Sequence, residues 1–435
     1  MQRGKKHQTA IINALVFDGM NVIGKPTITF EDGVIVEIGG AIPQGDNVVV
    51  IDGEGATLLP GLIDSHVHTS VDGLREALRF GITTELEMAG GFTQSGRQLQ
   101  LKGIYDVADV RSAGLGLTAP GGHPDELIPE EEGIPSFILE KLEHMSEEDK
   151  VEYLNSFLTD SDDDKIEIDM TTAAGAIQFV NRQINNGADY FKIMIEEGTV
   201  MNAPGLPMLN KEVMKIAVDE AHRFNKIAIA HTLTAETAKL AVEIDIDGLA
   251  HLFIDRPEWT PDLIKIIAEK GVFVTPCLVL NASIIGKNAC HIAHDERVIH
   301  KLDKVWVNTM CSCFHTFPQG DLQNSFKNLV DLHHAGVDLL VGTDVSFPIP
   351  TLGGLAHGVS VHHEMQLFVE AGLSPIQALR AATSVPAKRF SLDDRGIIAI
   401  GKRADLLLVK GDPTTNISDS LSMMAVWKAG INYTR

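Results

Sequence analysis

The sequence predicts an α/β fold, a (β/α)8 TIM barrel joined to a small β-sandwich that both chain ends build together. Apolar runs of strand length alternate with helical patterns through the middle of the chain, as expected for eight β/α units. Both ends carry short Val/Ile-rich runs separated by Asp-Gly and Gly-Gly turns. The length of 435 residues suits one large barrel with an accessory domain. Because chain termini often lie close together, we expect residues 1–57 and 393–435 to form the composite sandwich and residues 58–392 the barrel.

The barrel strands are predicted from eight apolar runs, most of which precede a plausible helix. The clearest helix covers residues 211–225, where apolar residues keep helical spacing behind the N-cap candidate Asn210. The eight runs are residues 62–66, 82–88, 113–119, 189–194, 226–231, 247–252, 272–279 and 338–344.

Two segments interrupt this alternation and are interpreted as insertions, at about 124–170 and 281–321. Both follow strands, so both are expected at the C-terminal face of a barrel, where active sites lie. The first is strongly acidic, and both a lid and a solvated insertion remain open for it. The second holds Cys290, Cys311 and Cys313, for which free, partly buried cysteines are favoured over a second metal site.

The charge balance limits the expected partners and compartment. The chain has 36 Lys and Arg residues against 59 Asp and Glu residues, a net charge of −23. Such a surface repels phosphate backbones and anionic lipid, so neither nucleic acid nor a membrane is an expected partner. The sequence contains no run of about 18 apolar residues, the length that a membrane-spanning helix needs. The expected location is therefore cytoplasmic.

The strongest chemical signal is the pair His66 and His68 in the first predicted barrel strand. Side chains at positions i and i+2 of a strand point to the same face, so the two imidazoles can bind one metal ion. Alone, this pattern also fits two half-buried histidines of an ordinary strand.

Four further polar residues end later predicted strands. They are Lys192, His231, His251 and Asp344. Each has an ordinary structural explanation, but in a barrel these strand ends converge on one small area. An ammonium buried among imidazoles would be unfavourable, so Lys192 needs a special explanation. A lysine amine that has reacted with CO2 becomes a carbamate, an anion whose two oxygens can bridge two metals.

With these residues, the chain resembles the amidohydrolase superfamily of the two-metal type. The resemblance extends beyond the ligands to LLPGLIDSHVH, AGLSPIQALRAATSVPAKRF and GIIAIGKRADLLLVKGDP, and so covers nearly the whole chain. The phrases GITTELEMAGG, ADYFKIM and VGTDVS are most similar to the imidazolonepropionase-like and Xaa-Pro dipeptidase-like branch.

The resemblance implies a centre of two divalent metal ions, with zinc the first expectation because imidazole and carboxylate ligands suit it. Carboxylated Lys192 and a hydroxide would bridge the two metals. The more buried metal would be bound by His66, His68 and Asp344, and the more exposed one by His231 and His251.

The implied chemistry is hydrolysis of an amide C–N bond in a small organic substrate by the metal-bridging hydroxide. Asp344 would act as the proton shuttle, taking the hydroxide proton and delivering it to the leaving nitrogen. His123, in a Gly-Gly-His setting after the third predicted strand, would hydrogen-bond the substrate carbonyl or the tetrahedral oxyanion.

One departure from the branch concerns substrate recognition. Dipeptidase-like relatives usually carry Tyr or His two residues after the fifth-strand histidine, where it helps to hold a substrate carboxylate, whereas this chain has Leu233. A less polar amide is therefore more plausible. The alternatives are an Xaa-Pro dipeptidase or carboxypeptidase-like peptidase, a cyclic amide hydrolase and a non-catalytic scaffold. The resemblance also implies a small-molecule substrate, and proteins of this type commonly assemble into homo-oligomers, although the sequence itself does not specify an oligomeric state.

Overall fold

The chain has a mixed α/β fold, described by a computed structural model for residues 8–127 and 168–434. Six strands come first in the chain: β1 Gln8–Ile12, β2 Leu15–Val16, β3 Ile28–Glu31, β4 Val34–Ile38, β5 Val48–Asp52 and β6 Thr57–Pro60. Four of them form a sheet in the order β4-β3-β1-β5, in which β1 pairs antiparallel with β3 and parallel with β5.

Seven parallel strands occupy the middle of the chain. They are β7 Leu62–Val67, β8 Ile82–Glu87, β9 Asp109–Ser112, β10 Phe191–Met194, β11 Ala228–His231, β12 Gly248–Ala250 and β13 Phe273–Thr275. They form one sheet of β7-β8-β9 and another of β10-β11-β12-β13. Three isolated parallel bridges continue these pairings, at Leu117–Ile193, Val274–Leu339 and Val67–Val345.

Helices alternate with the parallel strands. The described α-helices are α1 Val71–Arg79, α2 Gln94–Gln100, α3 Ala173–Asn185, α4 Lys211–Arg223, α5 Ala235–Glu243, α6 Thr260–Glu269, α7 Leu278–Ile284, α8 Cys290–Ala293, α9 Lys304–Met310, α10 Leu322–His334, α11 Val359–Ala371, α12 Pro375–Ala381 and α13 Ser384–Arg389. Short 3-10 helices cover Asp125–Leu127, Pro350–Leu352 and Ile417–Leu421. The predicted cap of α4 is confirmed, because the Asn210 side chain accepts a hydrogen bond from the Val213 amide at 2.9 Å.

The two chain ends pair with each other. Three late strands, β14 Leu406–Val409, β15 Met423–Lys428 and β16 Ile431–Asn432, join two early ones in a sheet of order β16-β15-β14-β6-β2. Buried apolar side chains from both end sheets share one cluster, in which the ring of Trp427 packs edge-on against Phe30. Residues from the two termini therefore form a common apolar core.

The structure differs from the prediction at two of the eight runs. The third strand is Asp109–Ser112, ahead of the predicted 113–119, because the later segment makes only the bridge at Leu117. The eighth run, 338–344, is not a regular strand, since its backbone turns at Asp344, whose φ is +61°. It still hydrogen-bonds to β7, for example from the Asp344 amide to the His66 carbonyl at 2.8 Å.

The two predicted insertions have different outcomes. Most of the acidic segment at 124–170 lies outside the described residues, so the choice between a lid and a solvated insertion stays open. The segment at 281–321 is largely helical, comprising most of α7 together with α8 and α9. Within residues 8–127 and 168–434, no helix combines the length and apolar character needed to cross a membrane.

One buried ion-pair network ties the C-terminal part of the chain to β8 and β9. The guanidinium of Arg395, 3% exposed, contacts the Asp109 carboxylate and donates to Thr84 Oγ1 at 3.0 Å. Arg403 contacts the same carboxylate at 3.1 Å. Burial alone would raise the pKa of Asp109, but the charges of Arg395, Arg111 and Arg403 outweigh it and hold this pKa well below its usual range. The network therefore stabilises the ionised form of Asp109.

We predict that Asp109→Asn lowers the free energy of unfolding by about 2 kcal/mol at pH 7, because buried Arg395 loses one of its two carboxylate partners and keeps only Asp394. The folded-state pKa of Asp109 is lower than the unfolded value of about 3.9, so the stabilisation is fully present above that value and is lost as the pH falls through the folded pKa. Urea unfolding should show wild type and variant converging below about pH 4. Asp219→Asn, in an exposed pair with Lys215, is the control and should change stability by under about 0.5 kcal/mol. An equal loss at pH 7 and pH 3 would contradict the prediction.

Candidate functional site

The polar side chains predicted from the strand ends lie together at one site. Lys192 and His231 belong to adjacent paired strands, β10 and β11, and His251 directly follows β12. His66 Nε2, from β7, and His68 Nε2, just after β7, lie 3.0 and 3.1 Å from Oδ1 of Asp344. The three-dimensional structure thus brings together residues that are up to 278 positions apart.

The remaining imidazoles connect this group into one cluster. The His251 ring lies 4.5 Å from that of His66 and 4.9 Å from that of His231, measured between centroids. His251 Nε2 is 3.9 Å from the second carboxylate oxygen of Asp344. Asp344 therefore faces three histidines.

Several buried polar atoms of the cluster have no hydrogen-bond partner among the described residues. These atoms are Lys192 Nζ, His231 Nε2, both ring nitrogens of His251 and His66 Nδ1. Leaving a buried donor or acceptor unpaired is unfavourable by about 1–3 kcal/mol each, so such concentrations are rare unless a further group completes them. Imidazole nitrogens and carboxylate oxygens together are the donors that divalent transition metals prefer. The donor set fits a divalent metal centre.

Burial and neighbouring charges set the protonation states of this cluster. Burial, together with the charge of Lys192, lowers the pKa of His66 and of His231 well below the usual value. Burial also lowers the pKa of His251, to about 3. Burial alone would raise the pKa of Asp344, but His251 and His66 hold it well below its usual range. Neutral imidazoles beside an ionised carboxylate are the forms that bind metals.

Lys192 is the exceptional member of the cluster. Its side chain is buried, with 1% of the residue exposed, and burial lowers its pKa to about 8. Its backbone is held on both sides, because the Lys192 carbonyl accepts from the Leu117 amide at 2.9 Å while β10 pairs with β11. The amine is thus fixed inside the protein, with no hydrogen-bond partner in the part of the chain that the structure describes.

His123 lies beside the cluster, as the sequence predicts. Its ring centroid is 4.3 Å from that of His231, and its Nδ1 is 2.5 Å from Oε1 of Glu126. The Glu126 carboxylate therefore orients the imidazole, and the remaining nitrogen, Nε2, is available for a further partner. The catalytic and ligand roles of all seven predicted residues stay predictions.

A sequence model of the Amidohydrolase family matches residues 57–431, a range that includes every residue of this site. The chain belongs to the amidohydrolase family. Ochratoxinase from Aspergillus niger is 23% identical over 260 residues, covering 58% of this chain and 47% of ochratoxinase, so the match spans about half of that relative. Enamidase from Eubacterium barkeri is 33% identical over 113 residues, covering 23% of this chain and 29% of that protein.

Solved structures share the fold along almost the entire chain. A Xaa-Pro dipeptidase with bound methionine has a TM-score of 0.71 at 20% identity, covering 98% of this chain and 100% of that chain. Phenylurea hydrolase B has a TM-score of 0.72 at 18% identity, covering 98% of this chain and 96% of that chain. Molinate hydrolase has a TM-score of 0.69 at 21% identity, covering 98% and 94%. At these identities the likeness establishes the fold.

Sequence reasoning missed Glu196 in this amidohydrolase site. Its buried Oε2 has no hydrogen-bond partner among the described residues and lies 3.4 Å from His231 Nε2, while Oε1 accepts from the Gly198 amide at 2.8 Å. Burial raises the pKa of Glu196 to about 7. Its position four residues after Lys192, just beyond the strand, was the available signal.

Sequence reasoning also missed Asp64, which connects β7 to the segment that carries Asp344. Its Oδ2 accepts from Thr343 Oγ1 at 2.7 Å, and its Oδ1 accepts from the amides of Thr343 at 3.1 Å and His66 at 3.2 Å. One fully buried carboxylate thus fixes the residue next to Asp344 and the backbone of His66. Strand alternation gave the signal, because Asp64, His66 and His68 share one face of β7.

The interpretation of the cysteines as free is wrong for two of them. Cys290 and Cys311 form a disulfide, because α8 and the end of α9 bring their Cα atoms within 4.2 Å. Cys277 and Cys313 are free, and buried Cys277 lies close to His66 and His251.

We predict that Asp64→Asn weakens divalent metal binding by about 10–100-fold, the usual effect of losing a group that orients metal ligands. An asparagine at position 64 keeps one acceptor oxygen, but its amide NH2 group cannot accept the second of the two hydrogen bonds that Thr343 donates. Binding should be measured by competition with a metal chelator. Thr343→Ser, which keeps the hydroxyl, is the matched control and should bind metal nearly as the native chain does. Native affinity in Asp64→Asn would show that this carboxylate serves the fold alone.

Proposed function

We propose that this amidohydrolase cleaves an amide C–N bond of a small organic substrate, using two divalent cations, first of all zinc, and a carboxylated Lys192. The observation that carries the proposal is the buried amine of Lys192, which has no hydrogen-bond partner among the described residues and lies among four histidines and Asp344. A bare ammonium would repel bound cations, whereas the carbamate formed with CO2 supplies an anion at the same position. Membership of the family supports the same chemistry.

We propose that the ligands form two groups, one for each cation. His66, His68 and Asp344 would hold one cation, and His231 and His251 the other, with carboxylated Lys192 shared. The contacts of Asp344 with His66 and His68 support the first group, since three ligand atoms lie within 4.8 Å of one another. When bound, the cations would supply Lewis acidity for activating water and polarising a carbonyl oxygen.

Asp344 is the proposed proton shuttle. Its carboxylate is ionised and largely buried, so it can accept a proton from water and pass it to the leaving nitrogen. The backbone hydrogen bonds around Thr343 and Asp344 fix the position from which the carboxylate acts.

His123 is the proposed group that orients the substrate carbonyl. Because Glu126 accepts the Nδ1 hydrogen, a protonated ring can donate from Nε2 to the carbonyl or to the developing oxyanion. The short distance between the His123 and His231 rings supports a role next to the second cation.

The proposed substrate is a relatively apolar amide. Leu233 is buried two residues after His231 and offers no donor for a substrate carboxylate. Relatives and neighbours include both a Xaa-Pro dipeptidase and a phenylurea hydrolase, so the fold is compatible with peptide and non-peptide substrates. The alternatives are dipeptides and cyclic amides, and the test compares their rates of hydrolysis with those of aryl and N-acyl amides.

We also propose a finer description of the fold. The parallel pairings and the three isolated bridges support a closed (β/α)8 barrel within residues 58–392. The shared sheet and apolar cluster of the chain ends support a composite β-sandwich of residues 1–57 and 393–435. The site would then lie at the C-terminal ends of the barrel strands.

We predict that Lys192→Ala loses at least one of two bound metals and most of the activity. Without the bridging anion, the remaining ligands would hold two mutually repelling cations. Metal analysis of the purified chain measures the loss, and added short carboxylic acids should restore part of the activity by replacing the carbamate. Lys265→Ala, on the exposed face of α6, is the control and should retain both metals. Two metals and full activity in Lys192→Ala would refute the bridge.

We predict that Asp344→Asn lowers kcat by about 10²–10⁴-fold, the range for loss of general acid–base catalysis, with a smaller metal loss than Lys192→Ala. The assay uses the best substrate from a panel of N-acyl amino acids, dipeptides, lactams and aryl amides. Asp338→Asn, at the start of the same segment and paired with Arg389, is the control and should keep kcat near native. Near-native kcat in Asp344→Asn would leave this residue as a ligand only.

A further inference from the structure

A second group of metal-ligand side chains lies outside the histidine cluster, where α8 meets the end of α9. Ligand atoms of Cys290, His294 and Cys311 all lie within 4.8 Å of one another. The Nδ1 atom of His294 is 3.5 Å from the Cys290 sulfur and 3.9 Å from the Cys311 sulfur. The two sulfurs are bonded to each other in this structure.

The imidazole is the feature that a structural disulfide does not require. Cys290 and His294 are four residues apart, one helical turn, which directs both side chains to the same side of α8. Two thiolates and one imidazole are a donor set that selects zinc over the harder cations magnesium and calcium. In the oxidised state His294 Nδ1 instead donates to the Cys290 carbonyl at 2.9 Å.

The position of the group allows reagents to reach it. His294 is exposed and both cysteines are partly exposed, so a thiol reductant and a metal ion have access from solvent. The backbone holds the two cysteines together independently of the sulfurs, because the Ala289 amide donates to the Met310 carbonyl at 2.9 Å. Reduction would therefore leave the thiols close to each other and to His294.

We propose that Cys290, Cys311 and His294 form a redox-gated zinc site. A dithiol reductant breaks the disulfide by transferring two electrons, its own two thiols become a disulfide, and their two protons pass to Cys290 and Cys311. Zinc then displaces these two protons, binds both thiolates and takes the Nδ1 lone pair of His294, with solvent in the fourth position. Oxidation closes the site again.

The test compares zinc content in the oxidised and reduced full chain. One sample is reduced with a dithiol and desalted without oxygen, both are equilibrated with zinc, and free metal is removed. The reduced chain should hold one more zinc per molecule than the oxidised chain. When cobalt replaces the bound zinc, the reduced chain should also show a thiolate-to-cobalt charge-transfer absorption that the oxidised chain lacks. Equal zinc content in the two states, or four free thiols under oxidising conditions, would overturn the proposal.

Four variants test whether the extra zinc belongs to these residues. The double variant Cys290→Ser/Cys311→Ser should lose it, whereas Cys313→Ser, a free cysteine of the same segment, should keep it. His294→Gln keeps the disulfide and should bind the extra zinc at least about 10-fold more weakly, which keeps the test informative if the double variant does not fold. Native affinity in His294→Gln would contradict its role as a ligand. Loss of the extra zinc in Cys277→Ser would instead assign it to the histidine cluster.

Discussion

The buried amine of Lys192 is the constraint to which the rest of the site responds. It lies among imidazoles, and Asp344 is the carboxylate that contacts the same histidines. An ammonium in such a place is disfavoured by burial and lacks a hydrogen-bond partner among the described residues. Conversion to a carbamate would turn an unfavourable cation into a ligand. The lowered pKa values of His66, His231 and His251 favour neutral imidazoles, and the lowered pKa of Asp344 favours an ionised carboxylate beside them.

The backbone supports this arrangement by joining segments that are distant in sequence. Paired β10 and β11 carry Lys192 and His231, while Asp64 fastens β7 to the turn that carries Asp344. The left-handed backbone of Asp344 is uncommon for a residue other than glycine, and the hydrogen bonds of the neighbouring Thr343 to Asp64 hold this turn in place. The geometry of the candidate centre therefore depends on groups that would touch no metal.

Two peripheral connections extend this framework. Arg395 joins the C-terminal part of the chain to β9 through Asp109, so the sheet shared by both chain ends is attached to the parallel strands. The segment that carries the disulfide packs on the loop after Asp344, where Ser312 Oγ donates to the Pro350 carbonyl at 2.6 Å. The redox state of Cys290 and Cys311 thus concerns a segment that contacts the loop following Asp344.

The sequence by itself determined the alternation of strands and helices, the short strands at the two chain ends and the pair of histidines, His66 and His68. These features depend on local periodicity, which a strand or helix imposes on neighbouring residues. It also provided the identity of the ligand-type residues, because each one ends an apolar run. The early position of β9 and the irregular eighth segment were not predictable, since the ends of elements depend on tertiary hydrogen bonds rather than on apolar content.

Only the tertiary structure decided which polar groups meet. The contact of Glu196 with His231, the link from Asp64 to Thr343 and the disulfide between Cys290 and Cys311 all join segments whose relative position no local pattern encodes. Burial is likewise a property of the folded chain, and it lowers the pKa values of Lys192, His66, His231 and His251.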